Sequence, residues 1–171
     1  MSDSYYVGDQ KVELDRADDY VAVDEKAAHD AGLDTEVERA SEEAQSQGAG
    51  VVVVPREAFD DEAIASLSDA GALQPVYRHG DAIIVALPEV MVEFDNPEQR
   101  RATLDVLAAS AALPSDITGT DAYLTVRPIS GSGVDALKLA NEIHERGHAA
   151  DASVRFIQFL PDRMPGSAGI R

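Results

Sequence analysis

The sequence predicts an α+β protein made of two successive sandwiches, each an antiparallel sheet with helices on one face. Apolar stretches with the two-residue period of strands alternate with stretches that have the 3.6-residue period of helices. This succession occurs once over residues 5–88 and again over 89–160. Pro88 separates the copies without a flexible linker, so we expect two lobes that pack together, followed by a flexible tail, 161–171.

The first lobe contains a clear central strand and a clear hairpin. A run of four Val between Gly50 and Pro55 is typical of a strand buried on both faces. Asp60 or Asp61 is expected to cap the next helix, which Gly71 ends. The remaining predicted elements are strands at 5–7, 11–15, 20–23, 74–78 and 82–87, helical residues 25–47 with a break at Gly32, and a hairpin turn at 79–81.

The second lobe has clearer helix signals. Asn96, Pro97 and Gln99 form a capping-box pattern, and Ser132 is expected to cap the next helix, which Gly147 stops. Strands are predicted at 89–95, 122–126 and 154–160, and turns at 113–120. The predicted buried helix faces are Leu104, Leu107, Ala108 and Ala111, and then Val134, Leu137, Ala140 and Ile143.

The composition excludes several classes of partner. The formal net charge of −18 repels phosphate backbones and anionic lipid, so we expect neither nucleic acid nor membrane as a partner. Such acidity is typical of halophilic proteins, although an acidic face for a basic partner is the alternative. Without Cys there is no disulfide or thiolate zinc site. With no signal peptide or membrane span in the sequence, we expect a cytoplasmic protein.

The most conspicuous local motif is His144-Glu145-Arg146-Gly147-His148, which matches the zinc-protease pattern H-E-x-x-H. That chemistry needs both His on one face of one helix. Gly147 is expected to end the helix before His148, so we predict no zinc site. The simpler interpretation is a solvated helix end with favourably placed basic residues.

Other candidate sites have plainer explanations. Residues 130–133 resemble a phosphate-binding turn but lack its basic residue, and a helix cap explains them better. The pairs Asp18-Asp19 and Asp60-Asp61 are interpreted as turn and cap residues, and His29 and His79 as isolated surface residues. No Ser/His/Asp set can be assembled from the spacing. We therefore predict no catalytic residues, no metal and no cofactor, and a binding module more than an enzyme.

Several segments, in order, resemble one known family. The N-terminal matches are Tyr5, Tyr6, Gly8, Lys11, Val12, Leu14, Asp19, Ala22 and Val23, and the later ones are EVMVEFD, DALKLANEIHERG and VRFIQFLPD. Together they resemble the N-terminal and propeptide region of subtilisin-like serine proteases. The sequence lacks the Asp-Ser/Thr-Gly, His-Gly-Thr and Gly-Thr-Ser-Met blocks of the catalytic domain. It is therefore either a free-standing propeptide-like protein or an excised N-terminal region.

The resemblance implies two tandem ferredoxin-like lobes and a protease partner. In the family, the sheet of the propeptide packs on two protease helices and the tail lies in the cleft as an extended product. This arrangement inhibits the mature enzyme and can template its folding. An acidic residue between the middle strands caps the protease helices, which points here to Asp116 or Asp121. The implied protease-binding residues are these two with Phe159, Leu160, Pro161, Asp162, Arg163 and Met164.

Alternation in the last strand places its two aromatic residues on opposite faces. Arg155, Ile157 and Phe159 share one face, and Phe156, Gln158 and Leu160 share the other. Only one set can belong to the core, which leaves one Phe exposed or at an interface.

Two other functions stay open beside that of a protease inhibitor or chaperone. A tandem ferredoxin-like regulatory or interaction module would sense a small ligand or oligomerise without a protease target. An enzyme, which rests on the H-E-x-x-H match alone, is the weaker alternative. The tail distinguishes the first two classes, because an inhibitor needs it and a ligand sensor does not.

Stability is predicted to rise with salt. Thirty-two acidic residues against fourteen basic ones leave strong self-repulsion where screening is weak. The Debye length shrinks from about 30 Å at 0.01 M salt to about 3 Å at 1 M. Calorimetry in increasing KCl should therefore show a rising thermal midpoint. A midpoint that stays flat over this range would contradict the charge argument.

Overall fold

The computed structural model describes residues 3–110, 114–146 and 149–161. Its strands are β1 Asp3–Val7, β2 Gln10–Arg16, β3 Tyr20–Asp24, β4 Ser46–Gly48, β5 Val51–Pro55, β6 Leu73–Gln74, β7 Val76–His79, β8 Ala82–Glu93, β9 Pro114–Gly119, β10 Tyr123–Pro128 and β11 Asp151–Phe159. Its α-helices are α1 Glu25–Asp30, α2 Asp34–Glu42, α3 Asp61–Asp69, α4 Pro97–Ala109 and α5 Gly133–Glu145, and a 3₁₀ turn, Arg56–Ala58, precedes α3.

The strands form a seven-stranded sheet and a four-stranded sheet. Every strand pair with an assigned register is antiparallel. The predicted α+β class with antiparallel sheets is therefore confirmed. None of the helices in the described part of the chain combines the length and apolar character that crossing a membrane requires.

Contacts divide the chain into two compact units, each made of two separate stretches. Unit 1 comprises Met1–Leu14 and Ala86–Phe156, and unit 2 comprises Asp15–Val85 and Ile157–Arg171. The division at 85/86 falls close to Pro88, but the contacts also group the N-terminal hairpin with unit 1. The two lobes with bounds 5–88 and 89–160 stay a prediction.

Unit 1 contains the succession strand, helix, strand, strand, helix, strand, formed by β8, α4, β9, β10, α5 and β11. The strand order across the sheet is β9-β10-β8, with β11 pairing β8. Helix α5 contacts both β10 and α4. Alternate residues of β8 and β10 are buried, namely Val90, Val92, Leu124 and Val126. Because side chains alternate between the two faces of a strand, these four residues share one face of the sheet. The helices cover that face.

Unit 2 repeats the succession around a separate core. Its four-stranded sheet has the order β4-β5-β3-β6, with α1 and α2 between β3 and β4, and α3 between β5 and β6. The core contains Val21, Val23, Val52, Val54, Phe59 and Leu67. Strand β5 pairs with both β3 and β4, and all four of its Val residues are buried. The predicted central strand is therefore confirmed.

Two places where the sequence predicts a break between strands, 113–120 and Pro88, belong to strands in the structure. The stretch predicted as turns at 113–120 contains β9, which pairs with β10 along the edge of the sheet. Pro114 is the first residue of this edge strand, a position that tolerates the missing N–H group. Pro88 lies inside the continuous strand β8, between the segments that pair with β7 and with β10. Its missing donor therefore interrupts neither of these pairings.

The buried face of α4 is rotated from the predicted one. Thr103, Val106 and Leu107 are buried, whereas Leu104 is half-buried and Ala108 is exposed. Ala111 lies outside the described residues. A prediction from apolar residues alone misses Thr103, which is fully buried. In α5, Leu137, Ala140 and Ile143 are buried as predicted, and Val134 is half-buried.

The predicted helix caps are formed. The carboxylate of Asp60 accepts the Ala63 N–H at 2.8 Å, and the Ser132 hydroxyl accepts the Val134 N–H at 3.2 Å. The amide oxygen of Asn96 accepts the Gln99 N–H at 2.9 Å. Gln99 reaches back to the N–H of Asp95 rather than to that of Asn96. These side chains satisfy amides that a helix start otherwise leaves unpaired.

Replacing Gly119 by Ala should destabilise the β9–β10 hairpin. Gly119 has φ +141°, and a Cβ there would overlap the carbonyl oxygen of Tyr123 and lie 2.9 Å from Cα of Leu124. Strain and overlap together should lower the free energy of unfolding by about 3 kcal/mol. Gly131→Ala is the matched control, because Gly131 has φ +64° but open space around it, and should cost about 1 kcal/mol. Denaturant unfolding that ranks the two variants equally would contradict the predicted overlap.

Candidate functional site

The sheet of unit 1 has one face that the helices leave open. Along β8, Met91 is exposed between buried Val90 and Val92. Along β10, Tyr123 is exposed beside buried Leu124. The register pairs Tyr123 with Glu93 and Thr125 with Met91, so these side chains share one face. We define the open sheet face as Glu89, Met91, Glu93, Tyr123, Thr125, Arg127 and Arg155.

A charge bridge lies across this face. One Glu89 carboxylate oxygen is 3.1 Å from an Arg127 guanidinium nitrogen, and the other is 3.5 Å from one of Arg155. The Glu89 side chain is mostly buried, whereas about half of each Arg side chain is exposed. The bridge joins β10, β8 and β11, and such cross-strand pairs contribute about 0.2–1 kcal/mol each. It also gives this face two positive groups within a strongly acidic chain.

An apolar groove lies at the other end of the face. Its volume is about 420 Å³, and its lining residues include Met91, Phe94, Ala122, Tyr123 and Ala150, with Glu93 and Asp95 at its side. Met91 is 45% exposed and Tyr123 is 47% exposed, so both can contact a partner. Neighbouring exposed apolar side chains on a rigid sheet are typical of an interaction surface.

The two acidic residues implied by the resemblance lie in different elements. Asp121 is exposed in the connection between β9 and β10. Asp116 belongs to β9 and pairs through its backbone with Arg127 of β10. Of the two, Asp121 therefore occupies the turn in which an acidic residue was expected.

The aromatic residues of β11 both contact tyrosines. Phe156 lies edge-to-face with Tyr5 at 5.1 Å between ring centroids, and Phe159 lies edge-to-face with Tyr20 at 6.0 Å. Both Phe residues are half-buried, so neither is left fully exposed. Each of these contacts joins residues that are distant in the sequence, so the alternation along β11 does not indicate them.

The rest of the implied tail site is only partly described. Leu160 and Pro161 are half-buried at the end of the described chain. Asp162, Arg163 and Met164 lie outside the described residues. Pro161, the first residue of the predicted tail, lies two residues after the end of β11.

The first two residues of the zinc-like motif contact the N-terminal strand. The ring of Tyr6 stacks on that of His144 at 3.9 Å between centroids, and its hydroxyl donates to Glu145 at 3.0 Å. The pKa of Tyr6 is raised most by desolvation, and further by the hydrogen bond to Glu145 and by the negative charge of the Glu145 carboxylate. The Lys11 ammonium lies 4.0 Å from the same carboxylate. This cluster fixes β1 against the end of α5, a contact that the sequence did not indicate.

The structure describes only the first three residues of the H-E-x-x-H motif. Helix α5 ends at Glu145 with Arg146 as its C-cap, and Gly147 and His148 lie outside the described residues. Within 3–110, 114–146 and 149–161, no three His, Cys, Asp or Glu residues come together as metal ligands.

The paired aspartates have ordinary structural roles. Asp19 forms an ion pair with Arg78, and Asp61 forms one with Arg56 at 2.5 Å. Asp60 caps α3, as described above. His29 contacts the Asp34 carboxylate at 2.5 Å, and this hydrogen bond raises the pKa of His29.

Neither the models of known protein families nor the curated proteins contain a match to this chain.

Purified protein should contain no stoichiometric zinc. Glu145 is already engaged by Tyr6 and Lys11, which leaves it poorly placed to act as a general base beside a metal. Elemental analysis after incubation with zinc and desalting should give the same background content for the native chain and for His148→Ala. Zinc near one equivalent that disappears in His148→Ala would contradict this prediction.

Proposed function

We propose that the chain is a non-catalytic, propeptide-like inhibitor or folding chaperone of a subtilisin-like serine protease. It would bind the protease through the open sheet face and through the tail that follows β11. The observation that carries this proposal is the exposed pair Met91 and Tyr123 on a sheet whose other face is covered by helices.

The topology supports the fold that the resemblance implies. Numbered within its own sandwich, the sheet of unit 1 has the strand order 2-3-1-4. The four-stranded sheet of unit 2 has the same order within a similar succession of helices. This order with this succession is that of a ferredoxin-like sandwich, and its occurrence in both sheets favours a tandem pair.

The chemistry of the open face suits a protein surface better than a small molecule. Met91 and Tyr123 supply apolar area that a partner can cover, and the bridged Arg127 and Arg155 supply hydrogen-bond donors around it. An apolar centre with a polar surround is the usual composition of an interface. Because the strands already fix the backbone at these positions, a partner has to order only the side chains when it binds.

The position of Asp121 suits a contact with a helix N-terminus. Asp121 is exposed in the β9–β10 turn, two residues before Tyr123 of the open sheet face. An anion near the first turn of a helix is stabilised by about 0.3–1 kcal/mol at an exposed site. Asp121 rather than Asp116 is therefore the residue we assign to this contact.

The tail would bind as an extended strand. Phe159 is held against Tyr20, so the chain leaves β11 from an anchored residue. An extended segment can add main-chain hydrogen bonds in a protease cleft, and its connection to the docked sheet raises its effective concentration there.

A regulatory module remains the second candidate function. The specific observation in its favour is the repeated strand order, because duplicated sandwiches need no protease to account for them. In that case the open sheet face would meet another partner, and the tail would be dispensable.

The test is inhibition of mature subtilisin-like proteases freed of their own propeptides. Tyr123→Ala should raise the inhibition constant about 30-fold, since a central interface aromatic contributes about 2 kcal/mol. Ile129→Ala is the matched control, because Ile129 is 69% exposed in the same unit but lies outside the open sheet face. It should change the constant less than about twofold.

Removal of residues 161–171 should weaken inhibition far more than it lowers the thermal midpoint. Equal potency of the full and shortened chains would remove the tail from the mechanism. If neither the full nor the shortened chain inhibited the protease, the regulatory module would be favoured. If Tyr123→Ala and Ile129→Ala weakened inhibition equally, the open sheet face would have no special part in the interface.

A further inference from the structure

Helix α4 carries two adjacent arginines whose side chains have no partner in the described residues. Neither Arg100 nor Arg101 forms a side-chain hydrogen bond, an ion pair or a ring contact there. Arg16 lies over the Tyr77 ring, and the remaining described Lys and Arg side chains form ion pairs.

This lack of partners is unexpected in so acidic a chain. Acidic residues outnumber basic ones by 32 to 14, so most cations have a carboxylate nearby. Moreover, Nε of Arg100 is buried without a hydrogen-bond partner. Leaving a buried donor unpaired costs about 1–3 kcal/mol, and more for a charged group. A ligand in the groove would not reach this buried Nε, but an anion at the terminal nitrogens would stabilise the charge of the same guanidinium group.

The two arginines line a groove. Pro97, Arg100, Arg101 and Leu104 lie on one side of α4 at the spacing i, i+3, i+4 and i+7, and Asp121 lies opposite in the β9–β10 turn. The groove has a volume of about 370 Å³. The amide of Asn96 already caps this helix, so the positive character of the groove comes mainly from the guanidinium groups.

We propose that this groove binds a small organic carboxylate with an apolar body. The carboxylate would lie against Arg100 and Arg101, and the body would lie on Leu104 and Pro97. The planar guanidinium fork matches a planar carboxylate and can donate two parallel hydrogen bonds to it. Asp121 faces the same groove and disfavours a dianion such as a phosphate monoester. The volume lies within the range of about 300–1,000 Å³ that small-molecule sites occupy.

This site shares Asp121 with the proposed protease interface but has its own cations. Arg100 and Arg101 belong to α4, whereas the open sheet face belongs to β8, β10 and β11. Replacing either arginine can therefore weaken carboxylate binding without changing a residue of the open sheet face.

The experiment is a titration of the full chain with hexanoate, followed through the ¹⁵Nε–¹Hε NMR signals of arginine. Hexanol is the control without a charge, and hexyl phosphate is the control with a different anion. Hexanoate should shift the Arg100 signal saturably, hexanol should leave it unchanged, and hexyl phosphate should bind more weakly than hexanoate.

Variants test the assignment of the residues. Arg100→Gln and Arg101→Gln should each weaken hexanoate binding at least about tenfold, as expected for a lost charged hydrogen bond. Binding by these variants is followed through backbone amide signals of α4. Arg146→Gln, which removes an arginine outside the groove, should leave the affinity unchanged. Because Arg101 is exposed, its variant should fold even if Arg100→Gln does not.

Three results would overturn the proposal. They are the absence of a saturable shift with hexanoate, unchanged affinity in Arg101→Gln, and tighter binding of hexyl phosphate than of hexanoate. If hexanoate had no effect but an inactivated protease shifted the Arg100 signal, the groove would be part of a protein interface instead.

Discussion

The two-residue alternation along β8 and β10 is the constraint on which unit 1 depends. Val90, Val92, Leu124 and Val126 must face the helices, because their burial supplies the core. Once these four are inside, Met91, Glu93 and Tyr123 are forced to the opposite face. A shift of the register by one residue would exchange the two sets. The core and the proposed binding surface are therefore fixed by the same pairing.

The charge of the chain is distributed unevenly over this framework. Among the described residues most basic groups are paired with a carboxylate, as at Glu89, which binds both Arg127 and Arg155. Arg100 and Arg101 depart from this pattern. An acidic surface with strong internal pairing suits high ionic strength, where long-range repulsion is screened but close contacts persist. It also makes two guanidinium groups without a partner among the described residues notable.

Local signals predicted much of this fold. The Val run of β5, the caps at Asp60, Asn96 and Ser132, and the hairpin at Gly80 depend on neighbouring residues, and the structure contains each of them. Strand β9 was missed because its pairing with β10 outweighs a sequence rich in turn residues. The burial of Thr103 was missed because polar residues count as exposed in an apolar pattern.

The candidate sites were less predictable. The open sheet face needs the register of β8 against β10, and the groove on α4 needs the position of the Asp121 turn. Neither can be calculated from spacing along the chain. The contact of Tyr6 with His144 and Glu145 is likewise a long-range one. Sequence indicated which side chains were available, and tertiary structure decided which of them share a surface.

The most direct test uses the three methionines, Met1, Met91 and Met164. Protein labelled with ¹³C at the methionine methyl groups would be mixed with a subtilisin-like protease inactivated at its serine. The signals would be assigned with Met91→Leu and Met164→Leu. The proposed mode of binding predicts that the Met91 and Met164 signals shift on complex formation, while that of Met1 changes least. An unchanged Met91 signal in a complex that forms would contradict it, because the open sheet face would then lie outside the interface.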